Sequence, residues 1–239
     1  PRGVDLGGRR IMKKAGGLEN LQDRPFLIFY PEPISPLVHP ADVIDRIFVC
    51  ADLNLPQMQG PSIQFGATAP VTLAGGLVQG TAEALMCVVL AQLRNPGCPC
   101  SMGCNFGVLD MSSGLLSLAC PEMSLALAAQ AEVALSFGLP TWGLAGSTGA
   151  KVLDAQAGAE SAFSILAQGL GGLNLIHDVG YMDNGMICST AQLVLGNENI
   201  GMTKRFARGI TINQETLARE IIEKVGPGGH FLQEPHTLE

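Results

Sequence analysis

The sequence predicts an α/β fold of the (β/α)8 TIM-barrel type, present as a partial barrel of about five βα units. Three observations point there. Short apolar runs alternate with helical stretches of about 15 residues or more, the pattern of strands and crossover helices around a parallel sheet. The first run, FLIFY (Phe26–Tyr30), is continuously apolar, as expected of a strand buried on both faces. At 239 residues the chain approaches the roughly 250 of a complete barrel, yet eight units are not visible. A doubly wound sheet is the rival. In both architectures ligands gather at the carboxyl ends of the strands.

Each element has its own signal. Residues 1–24 are Gly-rich and basic, and read as a leader or the remnant of a preceding region; residues 25–239 read as the C-terminal part of a barrel domain. FLIFY is closed by PEPISP. Pro40 then opens a helix through ADVIDRIFVCADLN, apolar at helical spacing. PSIQF (Pro61–Phe65) is a second short strand, and Ala74–Leu93 a helix. A strand near Cys98–Met102 precedes a long loop, and PEMSLALAAQAEVALSFG is a helix ended by Gly138. LPTWGLAG is the next strand, with a helix from about Asp154. LNLIHDVG (Leu173–Gly180) is the last clear strand, and helices follow near 190–207 and 214–225. The loops at the carboxyl ends are therefore Pro31–Pro36, Gly66–Thr72, Gly103–Ser113, Gly146–Leu153 and Asp178–Ser189.

Charge and composition narrow the function. Of 14 Lys and Arg, six fall in the first 24 residues, and between Arg46 and Lys204 only Arg94 and Lys151 are basic against ten acids. Nucleic acid needs a basic stripe, which the body of the chain lacks. The most apolar stretch, Leu73–Leu93, is broken by Gln79, Glu83 and Gln92, so no membrane span is expected and a buried amphipathic helix is. No apolar h-region opens the chain at Pro1, and the ending HTLE reads as the edge of a piece. Seven cysteines, an odd number in mostly apolar surroundings, suit buried thiols in a reducing, cytoplasmic compartment.

Two tempting motifs fail on their chemistry. Gly146-Ser-Thr-Gly-Ala-Lys151-Val152 has an Ala before the Lys and no hydroxyl after it, so it cannot cradle phosphate and magnesium as a P-loop does. Cys98-x-Cys100-x3-Cys104 departs from the C-x2-4-C pairs of structural zinc, and its fourth ligand would have to come from afar, such as His177. No metal site is assigned. A metal-dependent barrel enzyme using these cysteines and His177 stays as a lesser alternative.

The segments PVTLAGGLVQGTAEALMCVVLAQLRNPG (70–97), SLACPEMSLALAAQAEVALSFGLP (117–140), KVLDAQAG (151–158), AQLVLGNENIGM and VGPGGHFL resemble the trimethylamine methyltransferase family, the corrinoid-dependent methylamine methyltransferases. The resemblance covers nearly everything from Arg24 onward. It implies a barrel enzyme that passes a methyl group from an amine to the cobalt of cobalamin held by a separate corrinoid protein. It also implies that early strands of the longer family members fall outside this chain. The family's trimethylamine enzymes carry pyrrolysine in the turn before the matching Ala-Lys, and that position falls on Ser147. The chain therefore resembles the non-pyrrolysine branch, which includes glycine betaine methyltransferase and acts on quaternary amines.

Serine has no electrophilic imine to capture a tertiary amine, whereas a quaternary ammonium carries an already activated methyl group. The expected grip is a cage of aromatic faces, a familiar host for such cations. Tyr30, Phe65, Phe106 and Tyr181 lie at or just past predicted strand ends; each could equally be core filling. Gln64, Asn105 and His177 are polar groups near strand ends, and a core histidine is the plainer reading of His177. Ser147 would line the pocket without a covalent role. Asp183 matches a family acid, as does Glu83, which sits inside a helix and reads as structural. No catalytic residue is assigned. The expected partners are a corrinoid protein, a small quaternary amine and further copies of the chain, with neither nucleic acid nor membrane. The alternative from another class is a non-catalytic quaternary-amine binding module or scaffold.

Overall fold

A proline decides how the sheets are built. β1 (Gln57–Gln59) ends at Gly60-Pro61, and β2 (Ser62–Phe65) starts beyond it. Pro61 has no N–H for a ladder, so the strand cannot continue unbroken. Its neighbour is interrupted at the same level: Cys104 separates β3 (Cys100–Gly103) from β4 (Asn105–Leu109). The upstream halves join β6 (Thr141–Leu144) and β7 (Leu175–His177) in a four-stranded parallel sheet, ordered β1-β3-β6-β7. Its register pairs Met58 with Ser101, Met102 with Thr141, and Trp142 with Leu175. The downstream halves, β2 and β4, pair parallel in a second sheet, with β5 (Leu116–Ser117) antiparallel on β4. β8 (Tyr181–Met182) and β9 (Ile187–Cys188) form a separate antiparallel pair.

The predicted partial barrel is thus corrected. The strands are split among sheets of four, three and two rather than sharing one continuous barrel sheet. The indole of Trp142 lies at the break, against the positions where Gly60 and Gly103 would carry a Cβ. The predicted FLIFY strand shrinks as well. Only Phe29 pairs, with Gln57, while Phe26 is 57% exposed. Pro25 before the run and Pro31, Pro33 and Pro36 after it withhold the donors a longer ladder needs.

The structure, a computed structural model, describes residues 16–238. Arg2, Arg9, Arg10, Lys13, Lys14 and most of the predicted leader lie outside them; its end forms α1 (Leu18–Asp23). α2 (Ala41–Asp52) follows Pro40 as expected and buries Val43, Ile47, Cys50 and Ala51. α3 (Leu73–Arg94) lies against α2, where Arg94 makes a two-pronged pair with Asp52 at 2.7 and 2.8 Å. α4 (Pro121–Ser136) has proline in its first turn and ends before Gly138, whose φ of 70° suits the left-handed exit. α5 (Ala155–Leu170) is capped by Asp154, which accepts from Ala157 N–H at 3.0 Å.

These helices cover the sheets through apolar clusters, two of which lie on β2, β3 and β4. Met102 packs on Ala84 and Val88 of α3 and Ala134 of α4. Ile63, Phe65 and Phe106 pack with Met123 and Leu127 of α4. Gly76 and Gly80 let α3 approach β2 and β4, since a Cβ at either position would meet Phe65, or Cys104, Ile63 and Phe106. By length and composition α3 would suffice to cross a membrane, with a mean hydropathy of 1.6 over 18 residues, contrary to the sequence expectation. Here it is a packed helix whose Glu83 is wholly buried.

α6 (Thr190–Ala207) follows β9. The chain divides into two compact units at Lys204 and Arg205. In the second, Asn213 and Thr216 form a reciprocal capping box at α7 (Gln214–Leu217), and Lys224 of α8 (Arg219–Val225) pairs with Glu234 at 2.7 Å.

Candidate functional site

Side chains alternate across a parallel strand, so the register places Met58, Ser101 and Trp142 on the face opposite Met102 and the helices. Trp142 is the centre of this face. Its Nε1–H donates to the Gln59 carbonyl at 3.1 Å, and glycine at 60 and 103 leaves room for the ring to lie against the backbone. Tyr30 stands edge-on to it, with ring centroids 5.1 Å apart and planes at 78°. The His177 ring is 5.5 Å from the indole. Edge-to-face contacts of this kind use the negative face and positive rim of aromatic rings.

Polar groups complete the cluster. Asn105 Nδ2–H donates to Tyr30 Oη at 3.1 Å and to Ser62 Oγ at 3.3 Å. His177 Nδ1 is 2.7 Å from Asp178 Oδ1, so Nδ1–H donates to that carboxylate and the pairing fixes the orientation of the ring. Burial first, and then the negative charge of Glu32, raise the Tyr30 phenol above its ordinary range, so it stays protonated. Asn105 Oδ1, Ser101 Oγ and His177 Nε2 are buried without a partner among the described residues. Buried polar atoms are normally satisfied, so these three are free to receive a ligand or water.

Three residues singled out in the sequence, Tyr30, Asn105 and His177, are therefore brought together. Phe65 and Phe106 are not. They stack 5.2 Å apart among Ile63, Met123 and Leu127, whereas Trp142, equally buried, is bordered by Tyr30 and His177. Gln64 closes a turn, its carbonyl accepting from Ala67, Thr68 and Ala69. Tyr181 lines a separate groove of about 330 Å³ with Gly180, Cys188 and Leu193. Asp183 lies 4.0 Å from Lys151 Nζ in the loop before β9.

Ser147 is 1% exposed, and its hydroxyl donates to the Leu118 carbonyl at 2.9 Å. Asn184 Oδ1 accepts from Leu118 N–H at 3.1 Å, so the two loops clasp one backbone unit. Glu160 holds the Ser147 turn from α5, accepting from Thr148 Oγ1 at 2.5 Å and Gly149 N–H at 2.8 Å. Among the described residues no three His, Cys, Asp or Glu are grouped to hold a metal ion. Cys104 packs in the core, away from the Cys98–Cys100 pair, whose sulfurs are 3.8 Å apart.

Sequence reasoning missed Trp142, Asp178 and Ser101. Trp142 had a signal: it is the single tryptophan, placed mid-strand beside Gly143 in a chain with glycine on neighbouring strands.

Comparison with known proteins agrees with the family resemblance in the sequence and matches members named for both kinds of amine. The family model described as trimethylamine methyltransferase (MTTB) matches residues 7–239. Glycine betaine methyltransferase of Desulfitobacterium hafniense (strain Y51) is 34% identical over 93% of this chain and 47% of its own length. Trimethylamine methyltransferase MttB of Methanosarcina barkeri is 36% identical over 100% of this chain and 49% of its own. The MttB of D. hafniense (strain DSM 10664 / DCB-2) is 33% identical over 97% and 48%. The chain spans about half the length of the curated relatives it matches. It belongs to the trimethylamine methyltransferase family.

Proposed function

We propose that the chain is part of an enzyme that moves a methyl group from a quaternary amine of the glycine betaine kind to the cobalt of a corrinoid carried by a partner protein. The observation that carries this reading is the cluster of Tyr30, Trp142 and His177 beside buried polar atoms without a partner among the described residues. Aromatic faces attract a diffuse cation, and Asn105 Oδ1 can accept from the polarised C–H groups of N-methyls. The positive charge on nitrogen vanishes as the methyl group leaves. A carboxylate pressed against it would hold the ground state more than the transition state, and neutral groups avoid that cost.

The corrinoid is the partner's cargo and supplies the nucleophile; no residue of this chain is assigned to hold it. The chain's own task is to orient the methyl group and keep water away from it. The buried hydroxyl of Ser147, committed to Leu118, supports a substrate that needs no covalent capture at that position. The same reading takes the protein to be self-associating, and to be cytoplasmic in keeping with seven free cysteines.

The test uses the protein with whatever sequence flanks these residues. Cob(I)alamin, or a reduced corrinoid protein, is mixed separately with glycine betaine, carnitine, choline, proline betaine and trimethylamine, and the methylated corrinoid is read by absorbance. Conversion with a quaternary amine and not with trimethylamine is expected. Conversion with trimethylamine alone would overturn the substrate assignment. Binding of an amine without transfer, to a competent corrinoid, would favour the binding-module reading.

A further inference from the structure

We propose that Glu83 is the positioning residue of this site: from the middle of α3 it pins the segment that delivers Tyr30, and so fixes the geometry between Tyr30 and Trp142. The proposal rests on reading the aromatic cluster as the amine site, and its test can be read without that activity.

Glu83 is 0% exposed, an unusual place for a carboxylate, which must be hydrogen-bonded to be tolerated there. Its oxygens accept from Ser35 Oγ–H at 2.6 Å, Leu37 N–H at 3.0 Å and Gln79 Nε2–H at 2.9 Å. Its backbone carbonyl meets His39 Nε2 at 3.2 Å. Three of these four bonds come from the segment immediately after Tyr30. That segment is a tight hairpin closed by reciprocal bonds between Ile34 and Val38 at 2.8 and 2.9 Å. Leu37 has a φ of 60°, a left-handed conformation that a branched side chain disfavours and that surrounding bonds must hold. The N–H bound by Glu83 is Leu37's own. Pro31 and Pro33 are buried and stiffen the short path back to Tyr30.

Gln79 extends the control to a second loop. Its Nε2 also donates to the Thr68 carbonyl at 2.8 Å, within the turn that closes on Gln64. Directly and through Gln79, one buried carboxylate thus ties together the loop following Tyr30 and the loop at the carboxyl end of β2. A helix-interior Glu that only packed would have no need to place its carboxylate before three donors, two of them from a distant loop.

Trp142 is the only tryptophan of these 239 residues, so once any tryptophan in the flanking sequence is replaced by phenylalanine its fluorescence reads this geometry directly. The full protein is compared with Glu83→Ala, Glu83→Gln and Ser35→Ala, by Trp142 emission, acrylamide quenching and steady-state kinetics with the amine. Glu83→Ala is expected to red-shift Trp142 and expose it to quencher, and to raise KM for the amine about tenfold with kcat within about threefold. Glu83→Gln can still accept from Leu37 N–H and can donate to Ser35 Oγ, so it should recover most of both signals. A folded Glu83→Ala protein whose Trp142 matches the parent would overturn the proposal, as would a fall in kcat with KM unchanged. Should Glu83→Ala fail to fold, Ser35→Ala, which removes one loop donor, must shift Trp142 in the same direction; no shift overturns the proposal. If no amine is turned over by the parent, the function reading fails while the Trp142 comparison still decides the role of Glu83.

Discussion

Replacing Gly103 by alanine tests the arrangement on which the site depends. The new Cβ would meet the backbone carbonyl oxygen of Trp142 and two indole carbons at 2.8 Å. A rotamer change cannot relieve the first of these, because the obstacle belongs to the neighbouring strand. Overpacking of a buried site typically costs about 1–3 kcal/mol, and a backbone obstacle places this variant near the upper end. For a unit of roughly 200 residues each kcal/mol lowers Tm by about 2–4 °C, so a fall of roughly 6–12 °C follows. Urea unfolding followed by Trp142 emission gives the free energy from the shift in midpoint, provided the slope is unchanged. Gly201→Ala in α6 is the control. Nothing lies within 4 Å of its added Cβ, so it should be neutral or stabilising by up to about 1 kcal/mol. A Gly103→Ala protein within about 0.5 kcal/mol of the parent, with unshifted emission, would refute the placement of the indole on these glycines.

Further outcomes follow from other parts of the molecule. On the proposed reading, in which the Trp142 ring beside Tyr30 grips the cation before transfer, Trp142→Ala should raise KM for the amine more than it lowers kcat, measured by the corrinoid absorbance assay. Ser147→Ala should leave methyl transfer within about tenfold while costing about 1 kcal/mol in urea unfolding, the worth of its bond to Leu118. Burial pushes the thiols of Cys50 to about 11 and of Cys87 and Cys100 to about 12. In the unfolded chain they ionise first, from near 9.0, so the folded state binds more protons and stability falls as pH rises from there to those higher values. A lower urea midpoint at pH 10 than at pH 8 checks this. Exposed Cys188 should react with a thiol reagent long before the buried cysteines, measured by absorbance in native buffer.

The sequence by itself determined the family and the alternation of helices and strands. Long motif blocks carry the first, and the second follows from apolar periodicity with Pro40, Pro121, Gly138 and Asp154 marking helix ends. It also singled out Tyr30, Asn105 and His177, because polar or aromatic residues at strand ends are where ligands bind. Tertiary structure alone decided the rest. Pro61 marks the break between the sheets in the sequence, but that the indole of Trp142 lies at this break against Gly60 and Gly103 joins three positions far apart in the chain. Phe65 and Phe106 were attractive as cage walls, yet Gly76 and Gly80 draw α3 so close that their rings are sealed in the core. Glu83 read as structural from its helical position, and only the fold shows that its donors arrive from a loop more than 40 residues away. Local pattern specifies which elements form, since it depends on neighbours along the chain. Which side chains meet depends on close approach between distant segments, and periodicity contains no record of that.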